Sequence, residues 1–312
     1  MSTTVSTQNR QVAAGVSPRT RWLCGCVGLV LLVAAVPTVF VDGLLNGAPV
    51  MNGSARGTAL TMLVVALPAL SGGLAASIRG SVRGRAVLVG ALAYVTYNAM
   101  LFVYATPFNE MFLAYVALLG LALWSLVSSL LDPLPVVSPS VGLPVRGIAA
   151  FIFTVVGLNA LGWLMFVVPE LGASPPGFLE GTGLTTNPIY VQDLAVWLPA
   201  LAIVAWLAWQ RRPVGVFLSG AGLVFWLIEA LGVAVDQWFG HQAAPSSDVA
   251  TLGGAVMFVI VAAVTAVPLV LWLRAADGGR VRQRPVRAFL RSARSQPGRG
   301  VRAPRRWAGL LR

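Results

Sequence analysis

The sequence predicts an all-α fold: a polytopic bundle of eight transmembrane helices with both termini in the cytoplasm. Three observations predict it. Of 312 residues, 57% are hydrophobic and only 10% charged, apolar runs recur at spanning length, and arginine concentrates in alternate loops. Soluble domains carry roughly 25% charged residues, so this chain has too little polar surface to coat a water-soluble globule.

The first apolar run, Trp22–Val41, follows a polar stretch, Met1–Arg21, that carries Arg10, Arg19 and Arg21. A basic flank before an apolar run also suits a signal peptide. This run is longer than such a segment and lacks a small-x-small cleavage site, so it reads as a spanning helix. Seven more follow: Ala59–Ser77, Ala86–Tyr104, Met111–Leu131, Gly147–Val168, Val191–Trp209, Val214–Trp238 and Leu252–Leu273. Each suits a hydrocarbon core about 30 Å thick at 1.5 Å per residue. Helices are required because lipid offers backbone groups no partner, and the runs lack the alternation of a barrel strand. Short links around Pro107 and Pro213 demand antiparallel neighbours.

Arginine sets the orientation. With the N-terminus inside, the first tail and inside loops hold nine Arg (10, 19, 21, 79, 83, 85, 146, 211, 212), whereas the outside loops hold only Arg56. The expected organisation is a cytoplasmic tail over 1–21, the bundle over 22–274 and an Arg-rich tail over 275–312. That last tail has eleven Arg and one acid, Asp277, and is rich in Pro, Gly and Ser. It is expected to be disordered and to contact anionic lipid headgroups. No aromatic platform accompanies the charge, so nucleic acid is not an expected partner. The cell membrane of a bacterium is the expected location.

Small residues offer close packing: Gly72, Gly73, Ala76 and Ser77 in the second run, Gly220 and Gly222 in the seventh. No internal repeat stands out. Cys24 and Cys26 sit two apart on a helix, so their side chains diverge and read as structural thiols.

Ionisable groups inside a membrane need an explanation. Glu229 lies within the seventh run, and Asp236, seven positions on, shares its face about 10 Å further outward, with Gly232 between them. Asp42, Glu110, Asp193, Tyr104, Asn109, Tyr190 and Gln192 gather near the same outer level, Asn98 and Asn159 lie nearer mid-membrane, and His241 lies just past the seventh run. No arginine is expected inside the spans to neutralise these carboxylates. Either the acids are wet helix ends, with Glu229 bonded to Asn98, Asn159 or Tyr97, or an outward-open acidic cavity binds a cation or proton. In the second case Glu229, Asp236, Asp193, Asn98 and Tyr190 form the ligand site, under a loop, 169–190, that is either a lid or a plain surface loop. Enzyme and metal signatures are missing, so no enzyme, metal or cofactor is expected.

Tyr97-Asn98 followed by Phe108-Asn109-Glu110-Met111-Phe112-Leu113-Ala114-Tyr115, with Asn187-Pro188-Ile189-Tyr190-Val191-Gln192-Asp193-Leu194, resembles a family of uncharacterised multi-pass bacterial membrane proteins. The resemblance implies that Asn98, Asn109, Tyr115, Asn187, Tyr190 and Asp193 belong to a shared site or scaffold, and it brings no activity. The functional expectation is a small molecule, cation or proton bound or transported through the outward cavity. The alternative is a non-transporting scaffold or envelope partner that uses its Arg-rich tail.

Overall fold

A computed structural model describes residues 15–137 and 143–276, among which every long element is a helix and no strand forms. Eight helices are long and apolar enough to span a membrane: α1 (Pro18–Phe40), α2 (Pro49–Ile78), α3 (Val82–Tyr104), α4 (Phe112–Leu131), α5 (Val145–Glu170), α6 (Pro188–Trp209), α7 (Pro213–Ala243) and α8 (Leu252–Ala276). The chain is thus a multi-pass membrane protein. The Arg-rich tail and its expected lipid contact lie outside the described residues.

Helix starts follow local chemistry. Ser17 accepts from Thr20 N–H ahead of Pro18, Ser81 accepts from Gly84 N–H, and Asn187 accepts from Ile189 N–H ahead of Pro188. These side chains satisfy backbone donors that a helix start leaves over, and proline at the first position gives up a donor that had no partner. Such signals move several expected boundaries. Arg19 and Arg21 lie in the first turn of α1 rather than in a polar tail. Helix α2 begins at Pro49, ten residues before its apolar run, and so includes Arg56, which pairs with exposed Asp42 at 3.0 Å. Helix α7 runs on to Ala243 and includes His241. Arg85, expected in a loop, is buried to 1% exposure in the first turn of α3.

Helices α3 and α7 form the centre, 78% and 72% buried along their most apolar stretches, against 33% or less for the other six. One end of the bundle, here the Arg end, holds Arg19, Arg21, Arg79, Arg83, Arg85, Arg146, Arg211, Arg212 and Arg274. The opposite, acid end holds Arg56 alone among the arginines of the described residues.

The bundle divides into two four-helix halves, α1–α4 and α5–α8, whose middle helices, α2–α3 and α6–α7, repeat one another at a fixed offset that reading the sequence did not reveal. A π-helical turn, Met62–Ala66, precedes Pro68 in α2, and another, Asp193–Trp197, precedes Pro199 in α6. Each proline would clash with the carbonyl four residues back, Val64 or Ala195, and the wider turn relieves this. Leu67 N–H reaches the Met62 carbonyl and Leu198 N–H reaches that of Asp193. Both prolines lie in a Leu-Pro-Ala-Leu sequence, 67–70 and 198–201, an offset of 131 residues. The same offset separates the starts of α3 and α7 (82 and 213) and the ends of α2 and α6 (78 and 209). It also relates Gly84, packed on Ala76 and Ser77, to Gly215, packed on Leu207 and Ala208. Four helices return the chain to its starting end, so the halves run parallel and the axis relating them lies along the helices.

The halves differ in closure. Helix α1 packs on α4, joined by Thr38–Tyr115 and Thr20–Ser128 hydroxyl pairs, each 2.7 Å. Their counterparts α5 and α8 scarcely touch.

Of the expected small-residue contacts, Gly73 meets the α3 backbone at Leu88 and Gly220 lies flat against the buried Trp272 indole, but Gly72 faces open space. The tightest seam is elsewhere. Gly53 and Gly57 of α2 press on the α7 backbone at Phe239 and Asp236. Cys24 is buried and Cys26 exposed, both free, as diverging helical positions require.

At the Arg end, Asp132 joins three helices. Its Oδ2 accepts from Ser17 N–H (3.0 Å) and the Thr20 hydroxyl (2.8 Å) and lies 3.6 Å from Arg85 Nη2, which donates to the Ser129 carbonyl at 2.6 Å.

Candidate functional site

A cavity of about 1300 Å³ opens at the acid end, walled by α2, α3, α5, α6, α7 and α8. Six carboxylates line it: Glu170, Glu180, Asp193, Glu229, Asp236 and Asp248. Among the described residues no arginine or histidine lines it, and the chain has no lysine. The wall is therefore acidic and, below the mouth, largely apolar.

Helical spacing brings the central groups together. On α7, Glu229, Gly232 and Asp236 recur at three and four residues, so one face carries all three. On α3, Tyr94, Tyr97 and Asn98 do the same. Asn98 donates through Nδ2 to Glu229 Oε2 at 2.8 Å and to the Tyr94 carbonyl at 3.2 Å. Asn98 and Glu229 are separated by the repeat offset of 131, so the two halves meet at equivalent positions and this bond lies near their axis. The space beside Gly232 is taken by the Tyr94 ring, whose hydroxyl would lie 2.8 Å from an added Cβ. That hydroxyl is fully buried and has no hydrogen-bond partner among the described residues. It is an orphaned donor held between two acids.

The π turn of α6 presents the next group. Asp193, its first residue, accepts from Trp163 Nε1 of α5 at 2.8 Å, and Trp163 packs on Tyr190 with ring centres 4.6 Å apart. Phe178, from the 171–187 loop, covers the other side of Tyr190 at 5.4 Å. Deeper in, Tyr97, Trp197 and Phe225 pack mutually at 5.2 to 5.8 Å. These rings pack on one another and form an aromatic part of the cavity wall.

Of the five expected site residues, Glu229, Asp236, Asp193 and Tyr190 line the cavity. Asn98 does not, and reaches it only through Glu229. Asn159 lines it too, whereas Asp42, Tyr104, Glu110 and His241 stay apart. The resemblance set divides similarly. Asn187 caps α6 and also lines the cavity, whereas Asn109, which accepts from Met111 N–H, and Tyr115, which bonds Thr38, lie outside it. Trp163, Tyr94 and the loop acids Glu170 and Glu180 were not among the expected site residues. The 169–190 segment supplies lining groups, among them Glu170, Phe178 and Glu180. A tryptophan one helical face from Asn159, in a span otherwise apolar, was the signal available.

Compared with protein-family models, curated proteins and solved structures, the chain matches none.

Proposed function

We propose that this protein binds a small cationic ligand, for storage or passage across the cell membrane, in the cavity between its two halves. The observation that carries this reading is the lining: six carboxylates and no basic side chain around about 1300 Å³. Charges at membrane depth are expensive and face water, a partner or a ligand. An acidic, aromatic-walled chamber favours a cation that is weakly hydrated. Asn98 holds Glu229 in place through Oε2 alone, leaving Oε1 for the ligand, while Trp163 and Tyr97 both hold Asp193.

The test is binding of tetraethylammonium to the full chain in nanodiscs, read by fluorescence of the cavity tryptophans Trp163, Trp197 and Trp226. Glu229→Gln is expected to weaken binding about tenfold, or roughly 1.4 kcal/mol, with the protein still folded. Equal affinity for tetraethylammonium and an anion of similar size would overturn the reading.

The same reading places the acid end outside the cell, because arginine favours the cytoplasmic face. Reporter tags at residues 1 and 312 are then expected to report cytoplasm, and one within 171–187 the exterior. A reversed pattern would turn the cavity mouth to the cytoplasm.

A further inference from the structure

The slot between α5 and α8 has no counterpart in the first half of the molecule. There, α1 and α4 are packed together and pinned at both ends by hydroxyl pairs. Helices α5 and α8 line opposite edges of the cavity while scarcely touching one another. Helix α5 is also the most peripheral of the eight, only 6% buried along its most apolar stretch. Leu158 on α5 and Met257, Ile260 and Val264 on α8 all line the cavity and are each more than half exposed. Val264 is twelve residues into α8, so the slot descends about 18 Å from the acid end by helical rise, past the middle of a core about 30 Å thick. An opening at that depth faces lipid tails.

The chamber therefore has two chemistries at two exits. Its mouth is acidic and meets water. Its side is apolar and meets the bilayer. A hydrated metal ion has no use for the second exit, and among the described residues no three Asp, Glu, His or Cys side chains come close enough together to hold one.

Resting on the cation reading above, we infer that the ligand is an amphipathic organic cation that enters from the membrane. Its ammonium group lies among Glu229, Asp236 and Asp193, and its alkyl chain lies in the slot between α5 and α8. The headgroup replaces water with carboxylates and the faces of Tyr97, Trp163 and Trp197. The chain moves from lipid into an equally apolar slot, so it gives little affinity of its own; it delivers the headgroup from the bilayer, where such molecules concentrate.

The test uses the full chain in phosphatidylcholine nanodiscs with tetraethylammonium as the bound tracer. Competitors are dodecyltrimethylammonium, tetramethylammonium and dodecanol. Dodecyltrimethylammonium is expected to displace the tracer at concentrations about tenfold or more below tetramethylammonium, and dodecanol not to displace it. Filling the slot from either side, with Leu158→Trp or Ile260→Trp, is expected to weaken dodecyltrimethylammonium about tenfold. Tracer affinity should stay within about twofold, and its retention reports that each variant is folded. Undiminished dodecyltrimethylammonium binding in both variants would overturn the lateral seat and leave the cationic cavity standing. Displacement by dodecanol as strong as by the ammonium would overturn the amphipathic cation. Absence of any ammonium binding to the native chain would remove the cation reading itself.

Discussion

Asp132→Ala is expected to destabilise the protein by about 3–5 kcal/mol, the loss typical when one partner of a buried ion pair is removed. Asp132 is 8% exposed and Arg85 1%. Without the carboxylate, the guanidinium stays buried with only the Ser129 carbonyl for Nη2, and its Nε and Nη1 already lack partners. The N–H of Ser17 and the hydroxyl of Thr20 lose their acceptor at the same time. Ser128→Ala, which removes the hydroxyl pair with Thr20 and the bond accepted from Arg19 Nε but leaves the buried ion pair, is expected to lose about 1–2 kcal/mol. Denaturant titration in mixed micelles measures both, and equal losses would mean that the charge is irrelevant. The cluster also predicts a pH dependence. Burial pushes the Asp132 carboxyl up, but hydrogen bonds from Ser17 and Thr20 and the charge of Arg85 outweigh it and hold the group below its ordinary 3.8. A carboxyl depressed on folding stabilises fully above its unfolded value and loses that contribution as pH falls through the folded one. Stability at this site is thus expected to hold down to about pH 4 and to decline below it, and Asp132→Ala to remove that decline.

Gly57→Leu is expected to prevent α2 from docking on α7. Even a methyl group at Gly57 would lie 2.7 Å from Asp236 Cα and 2.8 Å from the Val235 carbonyl, and one at Gly53 would strike the Phe239 carbonyl and Ala243. These are backbone atoms inside a central helix, so they cannot swing aside. Overpacking of this kind costs about 1–3 kcal/mol for small additions, and alanine at Gly57 should fall at the upper end, near 3 kcal/mol. Leucine should leave no folded fraction. Gly72→Ala is the control. An added Cβ there meets nothing within 4 Å, so the change should be neutral or gain about 0.5–1 kcal/mol from reduced chain freedom. Thermal unfolding followed by circular dichroism separates the two, and a mild effect at Gly57 would mean the α2–α7 seam is looser than its geometry.

Eight spans could be read because each carries an apolar run long enough to stand alone. What the runs hid was polar sequence that is nevertheless helical. Residues 49–58 contain Asn52, Ser54, Arg56 and Thr58, which ended the apolar window, and with it went Gly53 and Gly57, the tightest packing pair. Pro49 after Ala48 was the visible start signal. Arg85 was counted with the loop charges because a charge near a run's edge looks wet, and only its partner Asp132, 47 positions along the chain, makes it a buried residue. The acids of α6 and α7 were legible since a carboxylate inside an apolar run has few innocent explanations. Tyr94 and Trp163 were not, because an aromatic residue in a membrane helix is ordinary until its polar atom is seen. The repeat has one literal trace in the sequence, Leu-Pro-Ala-Leu twice, and only the π turns preceding both copies give it a structural reason.

The Asn98–Glu229 bond says something about why two such halves share one chain. Identical subunits around a twofold axis can set only like against like there: two carboxylates that repel, or two amides that carry no charge. Two unequal halves in one chain lift that restriction. One half supplies a donor and the other an acid, and one seam is shut while its counterpart is open. A symmetric dimer would have two chambers or none; this chain has one, with a single carboxyl group at its pivot and one open side.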